Sequence, residues 1–379
     1  MTITDFGINA QGHLRTLPPD WPGEWLGISG FWWHWLFFTV VAITFVLVMA
    51  MGVIYIERRG MGRMQSRLGP NRTGPFGLLQ PVADAVKVLL KENIVPTNAD
   101  KIVHWLAPVV AFTPVLMIFA VIPFQNGALL ADLNIGILYV VAVSSISTVG
   151  VFMAGWGSSN KYSLLGAMRN VAAVVSYEMP LVLAVLGVVL VAGSLSMNQI
   201  VLAQNIPFIL MQPLGFFLFF AAGCAEINRS PFDLMEADSE IIAGFHTEYS
   251  GMKFAMFYLV EYAEAVAISA IITTLFLSGW RGPLLPPWMW FIIKVLLVFF
   301  FMVWTRSTLP RVRIDQLMAF AWKFLFPLSL INLMITAIQI LVWPAALSWV
   351  IIIANFTIMA ILILLWSKSF KLGWGRVEV

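Results

Sequence analysis

Apolar residues in this chain mostly run unbroken instead of alternating with polar ones. Such runs cover roughly 35–56, 104–123, 135–156, 172–192, 208–225, 252–278, 288–305, 321–343 and 345–366. Each is close to or above the roughly 20 helical residues needed to cross a hydrocarbon core of about 30 Å. The pattern predicts an all-α polytopic membrane protein with about nine transmembrane helices, forming a single integral membrane domain over 1–379. Only Trp343-Pro344 separates the last two runs, so eight spans with one long broken helix is the alternative. Their combined length favours a tight helical hairpin. Segment 57–103 is different. Met61, Met64 and Leu68 fall at helical spacing with arginines between them, which predicts an amphipathic helix at the membrane interface. After a Gly-Pro turn, Val82, Val86, Leu89 and Leu90 supply one helical face and Asp84, Lys87 and Lys91 another, predicting a second such helix partly submerged against the bundle.

Composition sharpens this picture. Of 379 residues, 60% are hydrophobic and 11% charged, against about 25% charged in soluble domains. Ionised groups inside such a chain are costly and mark function. Lys and Arg concentrate in 57–103, 157–171, 226–251, 306–320 and the C-terminal tail. The positive-inside rule then makes 57–103 and 226–251 cytoplasmic, the C-terminus cytoplasmic, and 1–33 an extracytoplasmic N-terminal segment. Residues 1–30 lack the basic start of a cleavable leader, so the first apolar run is expected to act as the insertion signal. No sequence repeat is evident, which argues against the inverted-repeat plan of many transporters. Cys224 is the only cysteine, which excludes an internal disulfide and a four-thiolate iron–sulfur cluster. His13, His34, His104 and His246 are scattered without a helical ligand pair, so no metal site is expected.

The densest charge lies in Glu226-Ile-Asn-Arg-Ser-Pro-Phe-Asp-Leu-Met-Glu-Ala-Asp-Ser-Glu240, with five carboxylates and one arginine between two apolar runs. Asp233 and Glu236 also fit a capping box at the start of a short helix from Leu234, a structural role that does not exclude proton exchange. The basic residues of 57–103 fit anionic lipid headgroups, but the repeated Gly-Pro turns and interspersed acids suit a shaped wall that meets a soluble partner or admits an amphipathic ligand.

Several blocks of this chain resemble the quinone-tunnel component of the complex I membrane arm, the family of the H subunit (also numbered 1) of NADH:quinone oxidoreductase. They are Glu57-Arg58-Arg59 with Gln65, Arg67 and Gly69-Pro70-Asn71-Arg72; Gly77-Leu78-Leu79-Gln80-Pro81 with Asp84, Lys87, Lys91 and Glu92; Ser176-Tyr177-Glu178; Ala225-Glu226 and Asn228-Arg229; Pro231-Phe232-Asp233-Leu234 with Glu236 and Glu240; and Glu248-Tyr249-Ser250-Gly251 with Glu261-Tyr262. Departures are local: Ile227, Met235, Asp238 and His246 stand where the family usually has Thr, Pro, Glu and Asn. Beyond the sixth run the match is weak and rests on hydropathy.

The resemblance implies a membrane component of proton-pumping NADH:quinone oxidoreductase that helps form a chamber for a lipid quinone and holds no redox centre itself. FMN and iron–sulfur clusters are then expected on partner subunits, the quinone is the substrate, and the partners are other membrane and peripheral subunits together with membrane lipids, in the cell inner membrane. No nucleic acid is expected. Asp84, Glu178, Glu226, Asp233, Glu236, Asp238, Glu240, Glu248, Glu261 and Glu264 are expected to include a chain of proton-coupling sites, titrating as a group where they crowd. Arg58, Met64, Arg67, Arg72, Arg229, Phe232, Tyr249 and Arg311 are expected to contact the quinone chamber or a partner. Competing readings are the homologous membrane subunit of a hydrogenase or of a ferredoxin- or F420-dependent dehydrogenase, an autonomous secondary ion transporter, and a passive scaffold.

Overall fold

Each of the nine apolar runs contains a helix in the computed structural model, which describes residues 30–126, 131–229, 231–233, 243–342 and 348–369. The first run is α1 (Gly30–Met64), and α2 (Gln80–Leu89) follows it in the polar loop. Next come α3 (Lys101–Phe119), α4 (Gly136–Gly157) and α5 (Lys161–Ala192), then two short helices, α6 (Met197–Ala203) and α7 (Phe208–Met211). The remaining helices are α8 (Pro213–Glu226), α9 (Gly251–Phe276), α10 (Pro287–Thr308), α11 (Ile314–Val342) and α12 (Ser348–Ser369).

Local chemistry sets several of these boundaries. The Asp100 carboxylate accepts from the Ile102 and Val103 amides and starts α3, and Asn160 does the same for α5 through the Tyr162 amide. Gly193, at φ 67°, ends α5 in the left-handed region. The fifth apolar run differs from its expected single helix, because it breaks at Gln212 (φ −133°, ψ 64°). Pro213 follows, and a proline forces the preceding residue out of helical conformation. Gln212 Nε2 then donates to the Gly187 carbonyl at 3.1 Å, so the break is tied to α5.

The two amphipathic segments also differ from each other. The turn carrying Met61 and Met64 is the end of α1, continuous with the span, and Leu68 lies beyond it. The second is the separate helix α2, turned so that Pro81 is buried and Asp84 half-buried, while Val82, Val86, Leu89 and Leu90 are exposed. The Asp84 edge is drawn inward by its ion pair with Arg58, and the apolar face is left outward for an apolar surrounding.

Tight packing centres on α3, α4, α5, α8 and α9. Gly150 lets α4 lie directly on α3, since a Cβ there would stand 2.6 Å from the Ala111 nitrogen. The last two runs form two helices joined side by side by a reciprocal amide pair between Gln339 and Asn355, as a hairpin requires. The connection at Trp343-Pro344 lies outside the described residues.

Candidate functional site

Three cavities follow one another from the charged end of the bundle into its apolar interior. The largest, of about 610 Å³, is walled by α1 (Leu47, Met51, Ile54, Arg58), α2 (Pro81, Asp84, Val88) and the start of α9 with the residues before it (Tyr249, Phe254, Tyr258). Its lining is mostly apolar. Arg58 and Asp84 form its polar corner as a short ion pair, and Gln80 Nε2 donates to Asp84 at 3.0 Å. A mostly apolar cavity of this size with a few convergent polar groups is the usual form of a site for a small organic ligand.

Phe254 and Tyr258 also wall a second cavity, of about 70 Å³, which adds Glu226, Asp233, His246, Glu261 and Glu264. A third, of about 50 Å³, shares Ser147, Glu226 and Glu264 with the second, adds Ser144, and is otherwise lined by apolar side chains of α3, α4, α5, α6, α8 and α9. Of the predicted coupling residues, Glu226, Asp233, Glu261 and Glu264 are therefore brought together. Glu178, half-buried on α5, acts electrostatically on Glu226. Asp84 lies at the large cavity instead. Glu248 is bound by Asn160 Nδ2 at 2.6 Å and lines none of the three. Glu236, Asp238 and Glu240, and the helix expected from Leu234, lie outside the described residues.

Beside the carboxylate cavities is an ion-paired cluster. Glu57 is completely buried, and both its oxygens accept from Arg229 Nη1 at 2.7 Å. Arg306 binds it from α10, and Arg229 Nε also lies 3.3 Å from Glu261 Oε1. The Arg229 guanidinium sits over the Tyr262 ring at 4.3 Å, and Tyr262 Oη meets Tyr258 Oη at 3.1 Å. Burial works against the Arg229 charge, but Glu261 and Glu57 outweigh it and hold its pKa above the ordinary arginine range. Tyr258 also acts on Arg58, so a line of polar groups runs from Asp84 to Glu57.

The other predicted contacts divide. Tyr249 lines the large cavity, and burial pushes its phenol well above the ordinary value. Its ring stacks on buried His104 at 4.1 Å, and Lys253 Nζ lies 3.1 Å from His104 Nδ1. Arg311 Nη2 donates to Asp233 at 2.9 Å, and Phe232 packs between Phe320 and Tyr177. Met64, Arg67 and Arg72 are exposed and line none of the three cavities. His246 faces the second cavity, where burial lowers its pKa from 6.5 to about 4.

Sequence reasoning left out Glu57, Arg306, Tyr258 and His246 as site residues. Glu57 carried a signal, being an acid at the end of an apolar run, but its partners lie 172 and 249 positions away and nothing local announces them. Among the described residues no group of three or more His, Cys, Asp or Glu side chains is arranged to hold a metal ion.

Residues 37–337 match the family model described as NADH dehydrogenase. The chain is 63% identical over 352 residues to the H subunit of NADH-quinone oxidoreductase from Dehalococcoides mccartyi, covering 93% of this chain and all of that one. It is 51% identical over 302 residues to the protein of the same name from Carboxydothermus hydrogenoformans, covering 78% and 86%. To that of Geobacillus kaustophilus it is 49% identical over 324 residues, covering 83% and 97%.

Proposed function

We propose that this chain, which belongs to the family of NADH-quinone oxidoreductase H subunits, walls the chamber in which a membrane quinone is reduced and passes the effect of that reduction to a chain of buried carboxylates. The observation that carries this reading is the shared wall: Phe254 and Tyr258 line both the 610 Å³ cavity and the cavity holding Glu226, Glu261 and Glu264. An isoprenoid tail suits the apolar side of the large cavity, and the Arg58–Asp84 corner suits a polar headgroup or the route to it. Arg58, Asp84 and Tyr249 line the large cavity; Arg229 braces the carboxylates beside it; Arg67 and Arg72 are left to meet a partner or lipid headgroups.

This chain holds the quinone and the protons, not the electrons. FMN and iron–sulfur clusters on peripheral partner subunits supply two electrons, and the quinone takes two protons to become a quinol. Charge appearing beside the second cavity is felt strongly in a low-dielectric interior and biases which of its carboxyls hold protons. Repeated at each turnover, that bias drives protons through the membrane arm. The concentration of Lys and Arg supports a cytoplasmic position for the charged end, facing the peripheral arm.

The test is Glu226→Gln in the fully assembled complex reconstituted into vesicles. The expected result is a fall in the rate of proton translocation of about a hundredfold, the low end of what a positioned proton-transfer group contributes to a rate. Unchanged quinone reduction with undiminished pumping would overturn the coupling role of this cavity.

A further inference from the structure

The carboxylate cavities have a third wall. Helix α4 is apolar along most of its length, yet Ser144, Ser145, Ser147 and Thr148 interrupt it near its middle. Ser144 and Ser147, three residues apart and so on one helical face, both line the smallest cavity, and Ser147 with Thr148 lines the middle one. Among the described residues, three line both cavities: Ser147, Glu226 and Glu264. Ser145 lines neither.

In lipid surroundings a serine without another partner donates its proton to its own helix. Ser144 Oγ donates to the Val141 carbonyl at 3.0 Å, Ser147 Oγ to the Ser144 carbonyl at 2.9 Å, and Ser145 Oγ to the Ala142 carbonyl at 3.0 Å. With the proton parked there, the hydroxyl oxygen keeps lone pairs for a second partner. Ser145 shares neither cavity with the carboxyls. Ser144 lines the smallest cavity together with Glu226 and Glu264, and Ser147 lines both cavities with the same two acids, so each hydroxyl faces the space these carboxyls share. A hydroxyl in this position accepts from a protonated carboxyl while its own proton is on the helix carbonyl. After rotation about χ1 it donates to a carboxylate. Among the described residues no Lys or Arg lines either cavity, so no fixed cation competes for these acids there.

Resting on the carboxylate-coupling reading above, we infer that Ser144 and Ser147 are a hydroxyl relay that carries protons between Glu264 and Glu226. A proton leaves the Glu264 carboxyl for Ser147 Oγ as Ser147 releases its own proton to water in the cavity. That water passes one proton to Ser144, and Ser144 releases its own to the Glu226 carboxylate. Glu264 ends one proton poorer and Glu226 one richer, both hydroxyls and the water end unchanged, and no oxidant or reductant takes part. The same steps run backwards.

The experiment compares Ser147→Ala, Ser147→Thr, Ser144→Ala and Ser145→Ala in the assembled complex in vesicles, with Glu264→Gln alongside. Ser147→Ala is expected to slow proton-coupled turnover roughly tenfold, less than a full general-acid contact because water can take the hydroxyl's place. It should also raise the solvent deuterium isotope effect. Ser147→Thr keeps the hydroxyl and is expected to restore both, and Ser145→Ala, which loses only its bond to the helix carbonyl, is expected to change neither. If Ser147→Ala behaves like Ser145→Ala while Glu264→Gln impairs coupling, the relay is overturned and the carboxylate reading stands. Glu264→Gln and Glu226→Gln both leaving coupling intact would overturn the carboxylate reading, and the relay with it.

Discussion

Two groups of buried acids lie side by side in this bundle and are handled in opposite ways. Glu57 is clamped by Arg229 and Arg306, with Glu261 on the far side of Arg229. Glu226 and Glu264 share a cavity with serines, and among the described residues no arginine or lysine pairs with either. Arginine does not lose its proton in proteins, so the first group presents fixed charges that brace α1, the segment after α8, and α10. The second has no such paired cation, which on the proposed function leaves its protons free to come and go. On the proposed function the contrast separates framework from working part among residues of one chemical type, and Arg229 with Glu261 joins the two.

The sharpest way to break this comparison is to neutralise one acid of each group. Glu57→Gln leaves two guanidiniums around an uncharged amide, and removing one partner of a buried pair costs about 3–5 kcal/mol. A large loss of assembled complex on heating is expected. Glu264→Gln strands no opposite charge and is expected to shift stability by less than about 1 kcal/mol. Equal thermal losses in the two variants would show that the distinction is false.

A smaller effect comes from pH. His246 faces the carboxylate cavity as its one histidine, and buried it protonates near pH 4 in place of the ordinary 6.5. Between those values the unfolded chain holds the proton and the folded chain does not. Stability from this residue is therefore full above pH 6.5 and declines as pH falls toward 4. In His246→Gln that part of the decline should vanish from a plot of unfolding temperature against pH. A parallel plot for the variant would mean the site accepts the cation without cost.

The least effect on stability is expected from Asp84→Asn. Its pair with Arg58 is of the same type as Glu57–Arg229, but both side chains are more than a third exposed, and such pairs contribute about 0–1 kcal/mol. Heating curves should be nearly unchanged, while the KM for quinone rises several-fold with kcat held. A thermal loss as large as that of Glu57→Gln would erase the difference between the exposed and the buried pair.

Much of this was legible without coordinates. Long apolar runs fold as helices because lipid leaves backbone groups no other partner, so all nine were readable from hydropathy. Pro213 announced the break in the fifth run only in hindsight, because an apolar window does not register one proline. Glu226, Glu261 and Glu264 stood out as acids near or inside apolar stretches. Met64 lines none of the three cavities; helical spacing shows that a face exists but not what it meets. The serines of α4 drew no attention, since a hydroxyl in an apolar helix most often bonds its own carbonyl and looks inert in sequence.

The amino-acid sequence by itself determined that the chain is a bundle of apolar helices, which acids lie within it, and, through its motifs, the family it belongs to. Only the tertiary structure decided which acids are clamped by arginine and which line a cavity without one. Arg229 and Arg306 reach Glu57 across 172 and 249 positions, and Ser147 reaches the cavity of Glu226 and Glu264 from another helix. Such pairings depend on helix rotation and on spacing across the bundle, and these follow from packing of whole helices that no local pattern encodes.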